Sequence, residues 1–384
     1  MATVQQHMEI MHRFYRTGKA SFEEMTECLL AEYPTVYMPV RMVFFGVPAD
    51  NSEYVIQFEH LRQAVKKRFG DRQPTVSYVA QPVATEGMAM EVHEVVLTEE
   101  DTVAYRVCAG ISYIAVERKG CKRLFLGGVI GDVLYRNIRE QSDDIFSRIR
   151  QVLDCEHMPV SAIIRQWNYI EKITEYDSAG HQHYQDFNDA RSLFYANTEW
   201  TTGYPAATGI GTRWGGIVID MDLLFCEDGT VLVAGVDNPL QVAAHAYSQQ
   251  VLLGETALKV RSTPKFERAK AVWKDGHGFV YISGTAAIRG EKSLEGMGIE
   301  EQTLATLENI EYLVSGENLR QTEIPVTGNA GISNFRVYVK YREDMEKARK
   351  VIESRYPALP AIYTLTDVCR SELLIEMEGM GVLQ

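Results

Sequence analysis

The chain has 384 residues, 46% of them hydrophobic, enough for two or three packed domains with a sizeable core. A formal charge of −13, with no Lys/Arg run able to track a phosphate backbone, argues against a nucleic-acid partner. No window approaches the roughly 18 uninterrupted apolar residues of a membrane span, and the six cysteines are scattered without a CxxC pair. Because MATVQQHMEIMHRFYR also lacks the apolar centre of a signal peptide, the setting expected is cytoplasmic.

Residues 18 to 33 predict a short amphipathic helix, with Ser21 and Glu24 at capping-box spacing ahead of Met25, Leu29 and Leu30. From there a pattern recurs: an Arg-bearing strand, a helix, then a Pro-led strand ending in an acid. The first copy runs through Arg41, a stripe of Phe58, Leu61, Ala64 and Val65, then Pro74 and Glu91. The second has Arg165, then Phe187, Ala190, Leu193 and Phe194, then Pro205 and Asp220. The third has Arg336, then Met345, Ala348, Val351 and Ile352, then Pro360 and Glu376. Such spacing puts the apolar side chains on one helix face, to be buried against a sheet.

The second and third copies share an upstream half as well. Lys119-Gly120 and Asp275-Gly276 supply turns; strand ends Leu126-Gly127-Gly128-Val129 and Ile282-Ser283-Gly284-Thr285 follow. Helices opening Glu140-Gln141 and Glu301-Gln302 come next, with matching stripes from Phe146 and from Leu307. Each complete unit predicts an α+β layer with helices on one face of a mixed sheet. Cys226-Glu227-Asp228-Gly229-Thr230 predicts a further hairpin turn, and the main division is placed near 235, giving regions 1–235 and 236–384.

This order of motifs resembles the RidA/YjgF superfamily, whose members form trimers with sites between subunits. The resemblance implies an internal pseudo-trimer whose first unit is incomplete. Imine deaminases of that superfamily grip the substrate carboxylate with an arginine just after the last Pro, where this chain reads Pro360-Ala361-Ile362-Tyr363. A narrower resemblance rests on Asp367-Val368-Cys369-Arg370 with Glu376, on Ser283-Gly284-Thr285-Ala286, and on Pro205 followed by Thr208-Gly209-Ile210-Gly211-Thr212. Together these are similar to the chorismatases, which release pyruvate from chorismate. The likeness covers roughly residues 118 to 384.

That resemblance implies Glu376 as the proton donor. It also implies a branch-setting cysteine at Cys369, which points to 3-hydroxybenzoate as product, whereas Ala286 is similar to the branch that hydrolyses the enol ether. For an acid to act near neutral pH, Glu376 must be kept protonated by burial or by the substrate's own charge, and its apolar neighbours suit this. Substrate carboxylates call for arginine or N–H groups: Arg336 first, then Gly284, Thr285 and Ala286, with Tyr204 and Arg213 from the other half. His181, His183 and Asp186 read as solvated loop groups, so neither metal nor cofactor is expected. The partner expected is a small carboxylate substrate, with neither nucleic acid nor membrane, in a monomer or homodimer. The alternatives are a RidA-like imine deaminase or small-carboxylate hydrolase, or a non-catalytic metabolite-binding protein.

Overall fold

The computed structural model describes residues 10–227, 229–252 and 260–384. The start of the chain and Asp228 of the expected turn lie outside the described residues. Three units follow one another. The first contains β1 (Ile10–Arg16), α1 (Phe22–Glu32), β2 (Met38–Phe45), α2 (Asn51–Phe69), β3 (Thr75–Val79) and β4 (Ala89–Val95). The second runs β5 (Thr102–Cys108), β6 (Ile111–Arg118), β7 (Cys121–Ile130), α3 (Ile138–Glu156), β8 (Ile163–Glu171), α4 (His183–Tyr195), β9 (Ala206–Thr212) and β10 (Ile217–Cys226). The third begins with β11 (Leu232–Val236), β12 (Ala269–Lys274), β13 (His277–Ala286), and a small hairpin of β14 (Ile288–Arg289) and β15 (Lys292–Ser293). It continues with α5 (Ile299–Leu313), α6 (Gly316–Leu319), β16 (Gly331–Val339), α7 (Met345–Arg355), β17 (Ala361–Leu365) and β18 (Ile375–Leu383).

The second and third sheets have the same strand order, β5-β6-β7-β10-β8-β9 and β11-β12-β13-β18-β16-β17. The first, β1-β4-β2-β3, has only the last four places, so counterparts of β5 and β6 are missing from unit 1 among the described residues. This is the α+β pseudo-trimer with an incomplete first unit that the sequence predicts. The capping box of α1 also forms as read, Ser21 and Glu24 each accepting from the other's backbone N–H.

Three expectations need correction. Each Pro-led segment is two strands, not one. β3, β9 and β17 pair parallel with β2, β8 and β16 across a helical connection, which a parallel pair requires. The chain then returns antiparallel to the sheet centre as β4, β10 and β18, and these carry the acids. β10 and β11, on either side of the expected hairpin turn, belong to different sheets and do not pair with each other, since β11 pairs with β12 and β10 with β7 and β8. The division placed near 235 thus falls inside β11. Finally Leu193 of the second stripe is 55% exposed; the buried face of α4 is Phe187, Ala190 and Phe194.

Helices cover the outer face of each sheet. In unit 2, Ile145, Phe146, Ile149, Val152 and Leu153 of α3 meet the α4 stripe and the sheet; α5 and α7 do the same in unit 3. Each such side chain contributes about 1.5–3 kcal/mol on burial. Cysteines scattered in sequence come together in unit 2: Cys121 and Cys226 form a disulfide between the facing ends of β7 and β10, and the Cys108 and Cys155 sulfurs lie 2.7 Å apart. No helix among the described residues is long and apolar enough to cross a membrane.

The inner faces of the sheets meet around buried charge. Arg41, Arg165 and Arg336 sit beside His93, Asp222 and Glu378 of their own sheets, yet each reaches to the next unit for its carboxylate. Arg41 meets Asp222 at 2.8 Å, Arg165 meets Glu378 at 2.5 Å and Arg336 meets Glu91 at 2.7 Å, closing a ring from unit 1 to 2 to 3 and back to 1. Unit 1 holds His93 where the others hold an acid. Its Nδ1 meets Arg41 at 3.0 Å and its Nε2 meets Glu91 at 3.0 Å. Burial, with His12 stacked beside it, pushes its pKa down to about 3, so the neutral ring accepts from Arg41 and donates to Glu91.

Candidate active site

The three repeat acids occupy equivalent places on β4, β10 and β18 but have different surroundings. Glu91 accepts from Arg336, His12 and His93. Burial alone would raise its pKa, yet Arg336 and the two histidines hold it well below the usual carboxylate range. Asp220 Oδ1 accepts from Ser77 Oγ at 2.6 Å and from the Gly128 N–H at 2.7 Å. Glu376 is 4% exposed, and among the described residues no hydrogen bond reaches its carboxyl. Burial, reinforced by the neighbouring Glu378 and only partly opposed by Arg268 and Arg165, pushes its pKa up to about 8. Of the three, Glu376 alone lines a cleft as a protonated acid at neutral pH.

That cleft lies between units 2 and 3, where β9 packs beside β13. Its walls are α4 through Tyr184, Gln185 and Asn188, β9 through Ala207 and Gly209, and β13 through Gly284 and Ala286. Arg268, just before β12, and Cys369 and Arg370, from the loop between β17 and β18, complete it. Gly284 is needed for a steric reason: a Cβ there would run into Glu376 Oε1 on one side and Thr208 on the other. Thr208 in turn accepts from the Gly284 N–H at 3.1 Å and donates to Glu378, so that N–H is already used.

Cations reach the cleft from two sides. Arg268 is 3% exposed; it donates to Val242 O at 2.8 Å and to Tyr247 Oη at 2.7 Å, while its Nε has no hydrogen-bond partner among the described residues. Arg191 of α4 is buried with no carboxylate hydrogen-bonded to it among the described residues, and it donates to Asn188 Oδ1 at 2.6 Å in the cleft wall. Burial pulls its pKa down. The Cys369 thiol is pushed up to about 12 by burial and by Glu376, so it stays protonated and is no nucleophile at neutral pH.

The structure gathers Glu376, Cys369, Gly284 and Ala286 around one cleft, with Thr285 beside them but turned to Ser283 O at 2.9 Å. It places the other sequence candidates elsewhere. Arg336 is 2% exposed and saturated in the central ring by Glu91, Glu378, Tyr169 and Tyr338. Arg213 is exposed beyond β9, and Tyr204 stacks among Tyr195, Trp200 and His245 outside the cleft lining. His181 stands between Asp177 and Asp186 at 3.9 and 3.7 Å, while His183 Nδ1 turns to Glu171 O. Sequence reasoning missed Arg268, Arg191, Tyr184 and Asn188. The signal available for Arg191 was its place four residues after Phe187, which repeats Arg62 after Phe58.

Residues 99–221 match the family described as chorismatase FkbO/Hyg5-like, N-terminal. A 3-hydroxybenzoate synthase of Streptomyces hygroscopicus is 34% identical over 232 residues, covering 59% of this chain and 65% of the relative. A chorismatase of the same organism is 32% identical over 223 residues, covering 57% and 61%. The chain thus spans less than two thirds of the length of these curated relatives. A chorismatase crystal structure solved at 1.08 Å superposes with a TM-score of 0.70 at 22% identity, covering 97% of this chain and 98% of that one. The chain is thus similar in sequence to chorismatases, with the family match lying in unit 2, and it shares the fold of a solved chorismatase along nearly its whole length.

Proposed function

We propose that this protein is an enzyme that releases pyruvate from chorismate, with 3-hydroxybenzoate as the other product and no cofactor. The observation that carries the reading is Glu376, a carboxyl kept protonated by burial at an open inter-unit cleft that arginine lines. Chorismate is a dianion with a vinyl ether. Proton transfer from Glu376 to the enol methylene generates an oxocarbenium ion, and the carboxylate left behind stabilises that charge. Arg268, whose Nε has no partner among the described residues, and Arg370 are the cations that hold substrate carboxylates. Arg191 fixes Asn188 in the wall.

Loss of pyruvate to give 3-hydroxybenzoate needs no net water, whereas the dihydroxycyclohexadiene acid requires one. Cys369 and Ala286 face the same cleft and are the residues that set this branch. The assignment to 3-hydroxybenzoate is supported by the name of the relative in Streptomyces hygroscopicus and by the cysteine. We include in the proposal units bounded at about 100 and 230, a cytoplasmic setting and a monomeric or dimeric chain. The test is incubation of purified protein with chorismate, followed by pyruvate quantitation and chromatography of the aromatic product. Pyruvate well above the uncatalysed background is expected; its absence overturns the reading. Thermal stabilisation by chorismate without turnover would favour a metabolite-binding protein instead.

A further inference from the structure

The cleft between units 1 and 2 repeats the one at Glu376 and lacks its chemistry. Register fixes the equivalence: Tyr113 pairs with Leu126 as Ala269 pairs with Ile282, so Ser112 stands in the place of Arg268 and Gly128 in that of Gly284. On the helix wall, Arg62 takes the place of Arg191 and Lys66 that of Tyr195. The cavity holds about 300 Å³, with Pro74, Val76, Ile111 and Val129 as apolar walls.

Its charge is unbalanced. Arg62 lies over the Phe58 ring at 4.1 Å and has one long contact, 3.4 Å, to Gly128 O. Neither Arg62 nor Lys66 forms an ion pair among the described residues, and the cleft's one acidic wall residue, Glu59, accepts from Gln63. Arg148 adds a third cation, paired with Asp144. Glu59 offsets part of the charge on Arg62, which leaves a net positive cleft, and in a chain of net charge −13 such a cleft over an apolar floor is a recognition feature for an anion with a hydrophobic body. The acid that could act on such a ligand is shut away: Asp220 is tied to Ser77 and to the N–H of Gly128, and it does not line the cavity.

We propose that the cleft between units 1 and 2 is a non-catalytic binding site for a small aromatic carboxylate. The proposal does not depend on the reaction at Glu376. It is tested by titrating the full chain calorimetrically with 3-hydroxybenzoate, in wild type, Arg268→Gln and Lys66→Glu. Lys66 is exposed on α2, so the Lys66→Glu chain is expected to fold; circular dichroism checks this. The expected result is one binding equivalent that survives Arg268→Gln, weakens at least tenfold in Lys66→Glu, and weakens as salt is raised. Arg62→Gln should weaken the same equivalent. An equivalent unchanged in both cleft variants, or the absence of any equivalent independent of Arg268, overturns the proposal. Displacement by inorganic phosphate at equal affinity also overturns it, by reducing the site to a general anion patch.

Discussion

The two clefts share a scaffold and differ in how their acid is held. At the boundary of units 1 and 2, Asp220 is bound by a hydroxyl and a backbone N–H. At the boundary of units 2 and 3, the equivalent Glu376 is one methylene longer and has no donor among the described residues, and Thr208, in the place of Ser77, donates to Glu378 instead. Both acids are raised by burial, yet the carboxyl of Glu376 alone faces a cavity. A buried acid at a strand centre is therefore a property of the repeat; release from its neighbours and access to a ligand make it a reagent.

The sharpest test of that contrast is paired neutralisation. Glu376→Gln should lower turnover by about 10²–10⁴-fold with the fold intact, the range for general acid catalysis. Asp220→Asn should leave turnover within about twofold, since it keeps the acceptor that Ser77 and Gly128 use. In the wild type the rate should be highest where Glu376 is protonated and fall as pH rises through about 8. Because the unfolded chain releases this proton near 4.5 and the native chain only near 8, stability should decline as pH rises from about 4.5 and level off above about 8, and Glu376→Gln should remove that part of the decline.

Next in size is the ring that holds the clefts in register. Arg336→Met removes the cation that Glu91 and Glu378 share, leaving Glu91 with its two histidines and Glu378 with Arg165, and should cost about 3–5 kcal/mol in chemical denaturation. A variant that stayed fully stable but bound substrate poorly would return Arg336 to the substrate site. Gly284→Ala should push Glu376 out of its seat and lower turnover about tenfold. The cost in stability should be about 1–3 kcal/mol, as for overpacking elsewhere. The smallest effect is expected from Cys369→Ala, a shift in the ratio of 3-hydroxybenzoate to the hydrolytic product with pyruvate release reduced no more than a few-fold. An unaltered ratio would make the cysteine a packing residue.

The repeat was legible because its parts are local: an arginine, a helix stripe and a proline recur at similar spacing, and the capping box of α1 needs four consecutive residues. Glu376, Cys369, Gly284 and Ala286 were legible as parts of short segments. What was hidden depends on contacts between units. Nothing near Arg336 reveals that Glu91, 245 positions away, accepts its charge. Arg268 was overlooked because it precedes β12 in a stretch without periodicity, and only the pairing of β12 with β13 brings it toward Glu376. Each Pro-led segment resembles a single strand in sequence because hydrophobicity continues across the turn to the sheet centre.

The ring of ion pairs carries an evolutionary consequence. In a trimer of identical subunits, one gene writes all three interfaces, and any substitution in the acid is made three times at once. Fused copies are freed from that constraint. His93 can replace an acid in unit 1 while Asp222 and Glu378 remain in the others, because each pair is encoded separately. Duplication with fusion thus lets one interface specialise in chemistry while its siblings keep the assembly closed, a division of labour that point mutation of a single-copy gene could not reach.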